Sequence, residues 1–288
     1  MTYWRAPLPA HDKGRPMQDK TAALYTERRI MRYDKGSWSE LNDQVTLERP
    51  LHLEINGRDF ITLLCTPVQR KELAAGFLLS EGIIQSPEQI VSMDLREKED
   101  LISVELTGIE INFEDRIKKI TLTSGCGRGT ILCDVMDTLS QPRVSGSMAL
   151  SPVEIIERMH ELHHLSSTYL KTGGTHSAAV TDGRSLLAFA EDLGRHNAVD
   201  KVLGFCFLNR IPTGDKAVLA SGRISSEIIM KVGRSGFPIL ATRAAATDQV
   251  IRIAEAMNIT LIGFARGSRM NVYTCPERIT GTGRKGRS

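Results

Sequence analysis

Aromatic residues make up only 5% of the 288-residue chain, too few for the stacking platforms with which proteins grip single-stranded nucleic acid. A formal net charge of +3 gives no electrostatic reason for nucleic-acid binding either, and the basic cluster Arg284, Lys285 and Arg287 reads as a solvated tail. No apolar run reaches the length of a membrane span. Met1 to Met17 lacks the apolar core of an export signal, so the expectation is a cytoplasmic protein with neither a membrane nor a nucleic-acid partner. Cysteine is sparse. The five (Cys65, Cys126, Cys133, Cys206, Cys275) contain no C-x-x-C pair, which argues against a zinc ribbon or a disulfide framework and suits a reducing compartment.

What is present is an ordinary globular composition, 41% hydrophobic and 25% charged, with length for two modest domains. Residues 1–28 are polar and irregular and are expected to form a flexible segment. A β-rich domain is expected over 29–145. In it Leu51, Leu53 and Ile55 alternate with polar neighbours, Asn56-Gly57 marks a hairpin, and Phe60–Leu64 returns. Thr66-Pro-Val-Gln69 carries the signals of a helix start, as do Ser86-Pro-Glu-Gln89 and Ser151-Pro-Val-Glu154. Leu73 and Phe77 place an amphipathic helix after the first, closing near Gly82. Ile90–Leu95, Leu101–Leu106 and Ile117–Leu122 read as strands, and Gln141–Met148 as a linker.

Ile120–Ser124 runs into Gly125-Cys-Gly-Arg-Gly129, followed by helical spacing at Ile131, Val135 and Leu139. The G-x-G-x-G spacing departs from a dinucleotide fingerprint. The loop instead places Cys126 on flexible backbone, near a helix N-terminus and two residues from Arg128, a setting that favours a reactive thiolate. Cys65 and Cys206 sit among apolar residues and read as core thiols.

A second domain is expected over 150–276, with strands and helices alternating from Ser177 to Thr274, and a basic flexible tail over 277–288. Its first helix carries Ile155, Met159, Leu162 and Tyr169 on one face. It also holds His160-Glu-Leu-His-His164, a match to H-E-x-x-H with no third zinc ligand in view. Glu191–Lys201 packs seven charged, His or amide side chains into eleven residues between apolar runs. Two readings fit it: an anion site at a helix N-terminus formed by Gly194, Arg195, His196 and Asn197, or a capped helix with an Asp200/Arg195 ion pair. Arg195, Arg223, Arg243, Arg266 and Arg269 follow predicted strands and would share one rim suited to phosphates.

Over roughly 45–275 the chain resembles the FdhD family, the sulfurtransferase accessory proteins of formate dehydrogenase. The resemblance is carried by Leu73–Gly82, Gly125-Cys126-Gly127, Gly173-Gly-Thr-His176, Glu191–Lys201, Ser221-Gly-Arg223 and Gly263–Tyr273. It implies an α/β (α+β overall) protein with a cytidine-deaminase-like C-terminal domain beside the smaller β-rich one, and a homodimer. It also implies sulfur taken from a cysteine desulfurase as a persulfide on Cys126 and passed to the molybdenum bis-molybdopterin guanine dinucleotide cofactor. The segment Phe264, Ala265, Arg266, Gly267, Ser268 and Arg269, with Arg195, His196 and Arg223, would hold that cofactor, and GDP or GMP would be a partial ligand. The family's second loop Cys is Gly129 here, leaving a single persulfide carrier. The deaminases' P-C-x-x-C zinc ligands are absent. The competing readings are a non-catalytic chaperone for the same cofactor and a zinc hydrolase. They separate on whether Cys126 accepts sulfane sulfur and on metal content.

Overall fold

The computed structural model describes residues 24–109 and 143–281. Three sheets organise them. β1 (Tyr25–Asp34) and β2 (Ser37–Thr46) pair as an antiparallel ribbon. β3 (Arg49–Ile55), β4 (Arg58–Cys65), β5 (Ile90–Arg96) and β6 (Leu101–Leu106) form a four-stranded sheet in the order β4-β3-β6-β5. The alternation of β3 holds: Leu51, Leu53 and Ile55 are buried, and Asn56 and Gly57 turn the chain with positive φ of 51° and 71°, as a two-residue hairpin requires. Helix α1 (Arg70–Ser80) covers this sheet with Leu73, Phe77 and Leu78.

The second unit is a six-stranded mixed sheet in the order β12-β11-β10-β9-β7-β8. Its strands are β7 (His176–Thr181), β8 (Leu186–Asp192), β9 (Ala217–Ala220), β10 (Ile239–Thr242), β11 (Thr260–Arg266) and β12 (Arg269–Val272). Strands β9, β10 and β11 are parallel. Successive residues point to opposite faces, so the core divides in two. Helix α2 (Pro152–Leu165) packs Ile155, Met159 and Leu162 on the face with Leu219, Ala241 and Ile262. After the short α3 (Ser167–Thr172), helices α4 (Arg195–Leu208), α5 (Ser226–Arg234) and α6 (Asp248–Ala256) cover the face with Val218, Leu240 and Leu261. Helices on both faces of a mixed sheet, beside a smaller β-rich unit, make the α+β architecture implied by the sequence.

The two units meet where α1 crosses α4 backbone to backbone. A Cβ built on Gly76 would lie 1.8 Å from the Asp200 carbonyl oxygen, and one on Gly204 would lie 1.9 Å from that of Glu72. No side chain fits at either position.

Several expectations are corrected. Thr66 does not cap α1: the helix starts at Arg70 behind Gln69, which has φ 53° and no capping bond, because the Thr66 hydroxyl is engaged by Lys201 and Asp192. Ser86 and Ser151 do form capping boxes, the first on a 3-10 turn rather than an α-helix. The Ser166 hydroxyl bonds back to the Leu162 carbonyl where α2 ends, so Tyr169 lies exposed on α3, off the buried stripe. Residues 25–28 belong to β1 rather than to an irregular segment. Residues 277–280 are not all tail, since Arg278 and Ile279 are buried and the Thr280 N–H donates to the Leu150 carbonyl. In the expected linker Val144 and Met148 are buried. The strand Ile117–Leu122, the Cys126 loop and the helix after it lie outside the described residues.

Candidate functional site

The polar stretch Glu191–Lys201 ends β8 and opens α4, with Gly194 at the N-cap as the sequence suggests. Most of it is consumed by internal bonds. Asp192 and Lys201, both with 0% of the side chain exposed, pair at 2.7 Å. Lys201 Nζ also donates to Thr66 Oγ1 at 2.8 Å, and the Thr66 N–H donates to Asp192 Oδ2 at 3.0 Å. Asn197 Nδ2 donates to Asp192 Oδ1 and to the Leu64 carbonyl. The Glu191 carboxylate accepts the N–H groups of Thr168 and Tyr169 and the Thr175 hydroxyl. Asp200 pairs with Lys231 at 2.7 Å and accepts from Ser80, not with Arg195 as the ion-pair reading had it. The stretch therefore staples the β3–β4 unit to the six-stranded sheet, every buried charge having a partner as burial demands.

What remains free is at the rim. Because β8 runs parallel to β9, β10 and β11, the segments after all four strands gather along one edge. They bring Arg195, Arg223, Arg243 and Arg266 there, in the order of their strands. Among the described residues none of these, nor Arg269, is in an ion pair, and Arg195 Nε is buried without an acceptor. A Cβ on Gly222 would meet His176 Nδ1 at 3.1 Å and Arg195 Cβ at 3.3 Å, which places the β9 loop against both. Burial, then Arg195 and His196, hold His176 below the usual imidazole range. His196 Nε2 lies 2.9 Å from Ser225 Oγ and 3.0 Å from Glu227 Oε2. This contact, ahead of burial in the other direction, lowers the Glu227 pKa.

The segment 264–269 is not a simple loop. Phe264 and Ala265 belong to β11, the chain turns at Gly267 (φ 61°) and Ser268, and Arg266 faces Arg269 across the hairpin. Ala265 is fully buried and packs in the core, so only its backbone could meet a ligand. Arg266, Gly267, Ser268 and Arg269 are exposed, and the Arg266 guanidinium lies 5.8 Å from the Phe264 ring centroid.

A cleft of about 140 Å³ opens beside this hairpin, lined by His160, His163 and His164 of α2 and by Arg243, Arg266 and Gly267 at the strand ends. The histidines enter the sequence reading only through H-E-x-x-H. Their role as one wall of a cleft was not legible, because the other wall comes from residues about 80–107 positions away. Among the described residues no group of three or more His, Cys, Asp or Glu side chains is placed to hold a metal.

Of the thiols, Cys65 and Cys206 are buried, as expected of core residues. Burial pushes Cys65 up to about 11, against the pull of Lys201, and Cys206 up to about 12. Cys275 is raised too, by burial and by Glu277. At neutral pH Cys65 and Cys206 should resist alkylation in the native protein while reacting after denaturation, which peptide mass spectrometry checks. Rapid native labelling of either would refute the burial. Cys126 and Cys133 lie outside the described residues.

A model of the FdhD/NarQ family matches residues 46–280, a span that takes in the staple, the rim and the Cys126 loop. The chain belongs to the FdhD/NarQ family. Similar relatives include the sulfur carrier protein FdhD of Bacillus subtilis (strain 168), 38% identical over 91% of this chain and 99% of that protein. FdhD of Staphylococcus haemolyticus is 37% identical over 88% and 96%. A crystal structure of a formate dehydrogenase accessory protein from Desulfotalea psychrophila superposes with a TM-score of 0.74 at 28% identity, covering 89% of this chain and all of that one. No helix among the described residues is long and apolar enough to cross a membrane.

Proposed function

We propose that this FdhD-family chain is a sulfur carrier. It takes sulfane sulfur from a cysteine desulfurase onto Cys126 and passes it to the molybdenum bis-molybdopterin guanine dinucleotide cofactor of a formate dehydrogenase. The observation that carries the reading is the near full-length match to proteins known as sulfur carriers. The thiols agree with it: Cys65 and Cys206 are buried and hold their protons, whereas Cys126 lies between glycines and near Arg128 in sequence. In the loading step the Cys126 thiolate attacks the outer sulfur of the donor persulfide, a new S–S bond forms, and the donor thiolate leaves. The cofactor is cargo. Its phosphates suit the arginine rim, where guanidinium groups without carboxylate partners and the orphaned Nε of Arg195 await an anion.

Incubation with a cysteine desulfurase and sulfur-labelled cysteine tests the first half: label should appear on the protein and be lost when the persulfide is reduced by added dithiol. No transferable label would leave the chaperone reading. Replacing Arg266 and Arg269 together with Ala tests the second half. It should weaken GDP binding about tenfold or more by calorimetry, two charge-assisted contacts being lost, while sulfur loading continues. Unchanged GDP affinity would remove the hairpin from the site.

A further inference from the structure

The histidine face of α2 plays no part in the reading above, yet it forms a wall of the cleft beside the β11–β12 hairpin. We propose that this cleft is a binding site for a phosphate dianion, gated by protons on His160, His163 and His164. The inference rests on the rim reading for the identity of the nucleotide that brings the phosphate, but not for the cleft itself.

Three observations carry it. The lining sets three imidazoles opposite two guanidinium groups, Arg243 and Arg266, and includes no carboxylate. A cation would be repelled there, and a dianion would meet cationic donors on both sides. Second, the carboxylates on the same helix are already engaged: Arg158 holds Glu161 at 3.0 Å and Glu157 at 3.7 Å, and Glu154 accepts from the Ser151 hydroxyl and N–H in the capping box. Third, His164 Nδ1 lies 2.8 Å from the His160 carbonyl oxygen, so it carries the proton and donates. In the neutral ring Nε2 is then the acceptor.

His163 is faced by charged and titratable groups from several elements. Its own helix presents His160 and His164, whose ring lies 6.1 Å away, the end of β10 presents Arg243, and the hairpin presents Arg266. From α3 comes the Tyr169 ring, 6.3 Å away. Burial, then Arg243, His164 and His160, hold the free His163 below the usual imidazole range. A bound dianion opposes these charges and raises the pKa. A group whose pKa rises on binding takes up a proton with the ligand, so affinity grows as pH falls through the imidazole range. A nearby opposite charge moves a pKa by about one unit or more, which is about tenfold in affinity for each imidazole that protonates with binding.

The test uses the full chain and inorganic sulfate, a dianion whose own charge is constant over the range, titrated by calorimetry at fixed ionic strength near pH 6 and pH 8. Binding should be about tenfold tighter at the lower pH. Replacing His160, His163 and His164 with Gln should flatten the pH dependence and leave the weaker high-pH binding, which depends on Arg243 and Arg266. Should that variant misfold, histidine NMR titration of the unaltered protein serves instead, with the His163 pKa rising in saturating sulfate. Equal affinity at both pH values, a pH dependence that survives the triple substitution, or stoichiometric zinc held by His160 and His164 would each overturn the proposal. GDP distinguishes the two readings. Proton-dependent sulfate binding without any GDP binding keeps the cleft and removes the guanine nucleotide, whereas GDP binding that is lost in the Arg266 and Arg269 variant, beside proton-independent sulfate binding, does the reverse.

Discussion

Replacing Lys201 with Met should destabilise the protein by about 3–5 kcal/mol, read from the shift of a urea unfolding curve. The ammonium group and Asp192 are both completely buried and 2.7 Å apart. Removing one partner of such a pair leaves an uncompensated charge in the interior. The damage spreads, because Asp192 also accepts the Thr66 N–H and the Asn197 amide, and Lys201 bonds the Thr66 hydroxyl. These contacts hold the end of β4 against the start of α4, so the variant should also lose the close crossing of α1 and α4 at Gly76 and Gly204. A second change, Asp192→Leu, should recover much of the loss, since an apolar pair of similar volume removes the stranded charge. Stability within about 0.5 kcal/mol of the parent for Lys201→Met would mean that the pair is not closed to water.

The largest effect on activity should come from Cys126→Ala. It should abolish labelling by the desulfurase and the maturation of formate dehydrogenase, while the unfolding midpoint and GDP affinity remain those of the parent. Cys133→Ala should do little. Cys65 and Cys206 cannot substitute, because thiols with pKa values pushed up to about 11 and about 12 supply almost no thiolate at neutral pH.

Local patterns were the legible part of the fold. The Asn56-Gly57 hairpin, the Ser151 capping box and the strand Ala217–Ala220 follow from residue type and spacing within a few positions. The failures share a cause. Thr66-Pro67 has the local chemistry of a helix cap, but a buried ion pair 126–135 residues away claims the hydroxyl. Asp200 has Arg195 within reach in sequence, yet its partner is Lys231 on another helix. Charge density in Glu191–Lys201 pointed correctly to an ordered helix start. It could not say that Glu191, Asp192, Asp200 and Lys201 serve the assembly of the two units, leaving Arg195 and His196 toward the rim. Arginines after strands marked the rim itself, since in such sheets the segments beyond the strand ends collect at one edge. The histidine cleft needed the fold, because its two walls are brought together by the packing of α2 on the six-stranded sheet.

The central claim is that one thiol, Cys126, holds the transferred sulfur. Incubating the protein with a cysteine desulfurase and cysteine, trapping persulfides by alkylation and mapping them by peptide mass spectrometry tests it directly. The account predicts a single persulfide, on the peptide containing Cys126, that disappears when a formate dehydrogenase carrying the cofactor without the transferred sulfur is added. Persulfide on Cys133 or Cys275 with none on Cys126, or full maturation by the Cys126→Ala protein, would contradict it.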